Sequence, residues 1–209
     1  MCFDTQSSLL AWSLTYSISV YLYFRNRGFD RWNAAFIMTF ATIQLLEAGI
    51  WVTLEKSGEK TELNDLLTRL MLMTLLIQPL VQSYMGYRYT KETFLAVLSF
   101  IFLGILVWGG WRALKSKPGQ FSTSAGPRGH LVWSDRESPN FLGGWWIGVL
   151  YLIGLFIPLF FMKEWKGAAL ITIGALTAVF SLYIAPNKEF SSHWCYTTVI
   201  YAMVALFVN

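Results

Sequence analysis

Charge is scarce in this chain: Asp, Glu, Lys and Arg make up 13 % of its 209 residues, against roughly a quarter in an ordinary soluble domain. That scarcity argues against a surface built for water. Histidine is scarcer still, with only His130 and His193 present, so the several ligands that a membrane metallohydrolase holds at one face are missing; one Glu and two His could hold a zinc, but their spacing gives no support for it. The two cysteines, Cys2 and Cys195, exclude a disulfide framework and allow at most one bond, with free thiols the expected state. There is no nucleophile elbow, phosphate loop or HExxH pattern, no visible internal repeat of the kind that inverted-repeat transporters carry, and no basic segment or cleavage motif flanking the first apolar run. The formal charge of +4 comes from basic residues lying between apolar runs, as loops of membrane proteins carry them, which argues against nucleic-acid binding.

What the sequence has in quantity is apolar and aromatic: 55 % hydrophobic and 17 % Phe, Trp and Tyr. A spanning helix needs about 20 mainly apolar residues to cross roughly 30 Å of hydrocarbon, and seven segments meet that demand to different degrees: Ser8–Phe24, Trp32–Leu54, Leu66–Tyr87, Phe94–Trp111, Trp145–Met162, Ala168–Ala185 and Phe190–Val208. Trp12, Trp32, Trp51, Trp111, Trp145, Trp146, Trp165 and Trp194 stand mostly at segment ends, where an apolar ring with a polar N–H fits the headgroup level. The expected fold is therefore all-α: a single polytopic membrane domain over residues 1–209, a seven-transmembrane-helix bundle with one long loop, residues 112–144, between helices four and five. In that loop HLVWS, His130–Ser134, is flanked by Gly and by Asp/Arg clusters and is expected to pair as a small hairpin or lie at the interface. In the first segment Ser13 with Ser17, and Tyr16 with Ser19, are three or four apart and predict a stripe facing a neighbouring helix. Pro79 is expected to kink helix three. Gly174, Ala175, Ala178 and Ser181 predict close packing by helix six.

Within this apolar frame one stretch is out of place. IQLLEAGIW, Ile43–Trp51, puts Gln44 and Glu47 one turn apart in a segment otherwise suited to lipid. At 1.5 Å per residue Glu47 lies about 10 Å below the surface shared by the N-terminus and the second loop. A charged carboxylate near the bilayer centre costs at least about 2.5 kcal/mol, so this Glu must be partnered, face a wet cavity or be protonated. Helix seven starts from the same side and carries His193, Thr197 and Tyr201 four apart on one stripe; helix three adds Gln78 and Gln82 around Pro79. These seven residues, Glu47, Gln44, Gln78, Gln82, His193, Thr197 and Tyr201, are the candidates for a polar cavity among helices one, two, three and seven. Against that stands a plain alternative for all but Glu47: buried amides and hydroxyls often serve as interhelical glue at about 0.6 kcal/mol each, and Thr hydroxyls often bond within their own helix.

The first loop holds Arg25, Arg27 and Arg31, and the second is acidic; by the positive-inside rule the N-terminus is expected outside and the C-terminus in the cytoplasm. The five basic residues Arg112, Lys115, Lys117, Arg128 and Arg136 of the long loop pull the other way. Seven helices bring microbial rhodopsins to mind, which hold retinal on a lysine of the last helix, but Phe190–Val208 contains no lysine. A covalent retinal there is excluded, and no cofactor is expected.

The opening MCFDTQSSLL, the DRWNAAF approach to helix two and the QLLEAGIW core resemble a family of uncharacterised multi-spanning membrane proteins of large DNA viruses of algae and protists, over about the first 55 residues. The resemblance implies a viral or host membrane setting and no catalytic residues. Three readings follow from the residues: a non-enzymatic protein that binds or conducts an ion, proton or small solute with Glu47 titrating; a membrane-embedded enzyme modifying lipid through Glu47 and His193; and a structural or assembly protein whose long loop binds partners. The bilayer is the expected partner, with a homo-oligomer allowed.

Overall fold

A computed structural model describes residues 4–57, 61–117, 119–133, 145–163, 165–185 and 189–208. The chain is mostly helical. Its helices are α1 (Thr5–Arg25), α2 (Asp30–Ser57), α3 (Glu62–Thr90), α4 (Thr93–Lys115), α5 (Trp145–Phe156), α6 (Lys166–Ile184) and α7 (Phe190–Ala205); the 3-10 turn Ile157–Phe161 prolongs α5, and a two-stranded hairpin, β1 (Thr123–Ala125) with β2 (Leu131–Trp133), lies between α4 and α5. Four of these helices, α2, α3, α4 and α6, are long and apolar enough to cross a membrane. The exposed residues of α4 include Phe94, Val97, Phe100, Ile101, Leu103 and Val107, and those of α6 include Leu176, Val179 and Phe180. Apolar faces of that extent suit lipid better than water.

Local chemistry sets the helix ends. Asp4 caps α1 by accepting from the Ser7 amide at 2.7 Å, and Asn26 closes it in the left-handed region with its N–H on Leu22 O. Thr61 caps α3 through the Asn64 amide. Pro158 removes an amide donor, and it is there that α5 passes into its 3-10 turn. At Pro79, in contrast, α3 continues as helix on both sides, and α5 packs closely against it there: a Cβ on Gly154 would lie 2.4 Å from Pro79 Cβ.

The central element is α2, packed against α1, α3, α7 and β1. It is buried on nearly every face, including Trp32, Ile37, Ile43, Gln44, Glu47 and Ile50. The inward face of α1 differs from the expected one. Ser8, Ala11, Thr15, Ile18, Ser19 and Leu22 are buried, whereas Tyr16 and Ser17 are exposed and Ser13 is half-buried. Size explains the correction: α1 and α2 approach most closely along the smaller groups, and Ser19 Oγ donates to Ala34 O across the gap at 2.7 Å. Of the small residues expected to pack in α6, Gly174 and Ser181 are buried, Ala178 is half-buried and Ala175 is exposed. Cys195 is a buried free thiol; Cys2, Pro186 and residues 134–144 lie outside the described residues.

Helix order and antiparallel packing put the N-terminus, the α2–α3 connection, the hairpin and the start of α7 at one end. The basic connections α1–α2, α3–α4 and α5–α6 lie at the other. At the basic end Arg25 grips Asp30 by two 2.7 Å bonds and donates to Leu206 O at 2.8 Å, tying α1 to both α2 and the last turn of α7.

Candidate functional site

Two three-residue strands are too small to hold themselves in water, so the hairpin exists by docking. Its turn, Gly126-Pro127-Arg128-Gly129, uses Pro127 for a fixed φ and Gly129 for a φ of 80°, the chemistry that tight reversals demand. The register pairs Thr123 with Trp133 and Ala125 with Leu131, and Phe121, Thr123, His130, Leu131 and Val132 are buried.

The docking bonds are specific. Asn64 of α3 reads β1 as a strand would: its Oδ1 accepts from Thr123 N at 2.9 Å and its Nδ2 donates to Thr123 O at 3.1 Å. Thr68 Oγ1 meets Thr123 Oγ1 at 2.8 Å, and Asp65 accepts from Phe121 N at 2.8 Å. Asp65 is in turn paired with Arg69 at 2.7 Å, whose guanidinium also reaches Ser116 Oγ and Lys117 O. On the other side, Glu189 at the start of α7 accepts from Arg128 N and His130 N at 3.3 and 3.0 Å. Gly126 permits this approach, since a Cβ there would lie 2.4 Å from Glu189 Cδ.

With the hairpin seated, Trp133 points into the bundle. Its Nε1 donates to Glu47 Oε1 at 3.1 Å, and Glu47 has no exposure to solvent. The intramembrane acid singled out from the sequence is thus met from the long loop rather than from His193. Cys195 and Tyr151 line the same cavity as Trp133, and Tyr151 Oη donates to Gln78 Oε1. Gln78 Nε2 is buried with no partner among the described residues. Glu47 with Trp133, and Tyr151 with Gln78, are two hydrogen-bonded pairs of a first group that Cys195 adjoins, drawn from α2, the hairpin, α5, α3 and α7. Gln44 is buried one turn deeper on α2.

The other predicted residues divide. Gln82 belongs to a second group nearer the basic end, accepting from Trp32 Nε1 at 2.9 Å and donating to Leu155 O at 3.2 Å, while Tyr201 is buried with its ring edge-on to Phe36. His193 turns toward α6 and the hairpin: its Nδ1 meets Ser181 Oγ at 2.8 Å, and its ring stands edge-on to His130 with centroids 4.9 Å apart. Thr197 spends its hydroxyl on Trp194 O in its own helix at 2.7 Å. A cavity of about 470 Å³ adjoins the first group, lined by Trp133, Tyr151 and Cys195 together with Leu75, Leu76, Ile147, Leu152, Phe190 and Trp194. It is mainly apolar and lies between α3, α5, α7 and the hairpin, where the expectation was a polar space among helices one, two, three and seven.

His130 sits in the hairpin, outside the spanning helices. Burial draws its pKa below the ordinary histidine value, and the negative charge of Glu189 offsets part of that. At neutral pH it is an uncharged ring.

Trp133, Asn64, Tyr151 and Glu189 escape a reading of the sequence. HLVWS marks a hairpin, but only the fold says what its tryptophan touches, and Glu189 reads as an ordinary loop charge before a helix. No protein-family model, curated protein or solved structure matches the chain.

Proposed function

We propose that the chain is a seven-span membrane protein that binds or conducts a proton, ion or small solute through its buried carboxylate, Glu47. What supports this is the burial of Glu47, at 0 % exposure, with an indole N–H as a hydrogen-bond partner. An acid in that setting is costly to keep charged, so it is rarely retained for packing alone. The neighbouring thiol, phenol and amide supply groups that can donate to or accept from a passing proton or solute.

In this reading α1, α7 and the 17 residues of α5 with its 3-10 turn join α2, α3, α4 and α6 as spans. The N-terminus and hairpin face outward and the basic end faces the cytoplasm. A viral or host membrane is proposed from the resemblance of the first 55 residues. Protein reconstituted in liposomes is expected to show a flux or a ligand affinity that Glu47→Gln alters. Unaltered behaviour removes Glu47 from the mechanism.

The apolar cavity beside Cys195 and Tyr151 favours one alternative, lipid modification. Turnover of a lipid substrate lost in His193→Ala, with metal measured alongside, would support it; a protein without bound lipid or metal would count against it.

A further inference from the structure

Two of the hairpin's fastenings differ in kind; beside them Asp65, paired with Arg69, holds Phe121 N, and Glu47 holds Trp133. Around Thr123 the bonds come from the Asn64 amide and the Thr68 hydroxyl, groups that do not titrate. Around the turn they come from titrating groups: Glu189 on two backbone N–H groups, and His130 edge-on to His193. Both rings are buried, at 1 % and 4 % exposure. His130 is three residues from Trp133 on the same strand and connection, so displacement of the turn acts directly on the indole that holds Glu47.

We propose that residues 123–133 form an acid-released latch over Glu47, held shut by the contact between the uncharged rings of His130 and His193. The latch rests on the reading of Glu47 as the functional carboxylate. Its physics is that of two basic groups in one dry contact. A proton on either ring costs desolvation, and protons on both set two cations against each other at about 5 Å in a region where little water screens them.

The surroundings do not cancel that cost. From α7 the facing charge is Glu189, whose oxygens are engaged with the backbone of Arg128 and His130. From the hairpin it is Arg128, which adds positive charge and donates to Ile184 O at 2.6 Å. From α6 the facing groups are Ser181 and Phe180, neither charged. From α2 it is Glu47, behind Trp133. The lowered pKa of His130 agrees in sign: the displaced, hydrated hairpin takes up a proton that the docked one refuses. Docking is thus fully favoured above about pH 6.5, the unperturbed histidine value, and weakens as pH falls below it.

Amide hydrogen exchange on the full chain in nanodiscs tests the latch, run at about pH 7.5 and about pH 5 and corrected for intrinsic rates. We expect protection of Leu131–Trp133 to fall about tenfold on acidification, reversibly, with α3 and α4 unchanged, and the response to shrink in His130→Gln or His193→Gln. Equal protection at both pH values in the unaltered protein overturns the proposal, whatever the variants do. So does loss of protection throughout the bundle, and so does a full response retained in both variants. Because the readout is hairpin protection rather than flux, a mobile hairpin with flux indifferent to Glu47→Gln refutes only the role of Glu47. A Glu47-dependent flux under a hairpin that never responds refutes only the latch.

Discussion

The two ends of the molecule hold their buried acids in different ways. At the basic end Asp30, whose side chain is fully buried, is met by the guanidinium of Arg25 in a two-bonded pair. At the hairpin end Glu189 is met by backbone N–H groups and Glu47 by an indole. A guanidinium fixes both geometry and charge. A neutral donor fixes geometry without supplying a compensating charge. The guanidinium-held acids, Asp30 and also Asp65 at the foot of the hairpin, are charge-paired, whereas Glu189 and Glu47 are held by uncharged donors.

Four measurements would break or sharpen that contrast. The largest effect is expected from Arg25→Ala, which strands Asp30 in the interior and should cost about 3–5 kcal/mol of stability, read by thermal unfolding in detergent. A comparable loss in Glu189→Gln, which keeps one acceptor oxygen, would erase the distinction between the ends. Next, Asn64→Ala leaves the amide and carbonyl of Thr123 without their partner and should cost about 1–3 kcal/mol. That loss should appear as proteolysis within residues 119–133 while the helices stay protected. Third, the unfolding temperature should decline as pH drops below about 6.5, because the unfolded chain binds a proton that docked His130 resists; His130→Gln should flatten that decline. The smallest effect, within about 0.5 kcal/mol, is expected for Thr197→Val in unfolding and no change in flux, since that hydroxyl is bonded within its own turn.

The helices, their approximate limits and the oddity of Glu47 were legible because hydropathy and burial cost act along the chain. The packing face of α1 was not. Ser19 faces inward as its spacing predicted, but only the approach of α2 shows that Thr15 joins it while Tyr16 and Ser17 face outward. His193 shared an end with Glu47 by topology, yet rotation of α7 set it against Ser181 and His130, and no spacing argument gives that rotation. Trp133 was hidden for a related reason. Its bond to Glu47 spans 86 positions, through a loop whose course depends on how Asn64 reads one strand.

The bond from Arg25 to Leu206 O spans 181 positions and bears on the order of assembly. During synthesis α1 and α2 emerge long before the end of α7, so the guanidinium can pair with Asp30 before its carbonyl partner exists. Closure of the first helix against the seventh is therefore a late event in biogenesis, and arrested chains that end before α7 should expose the α1–α2 pair to quality-control proteases that spare the finished protein.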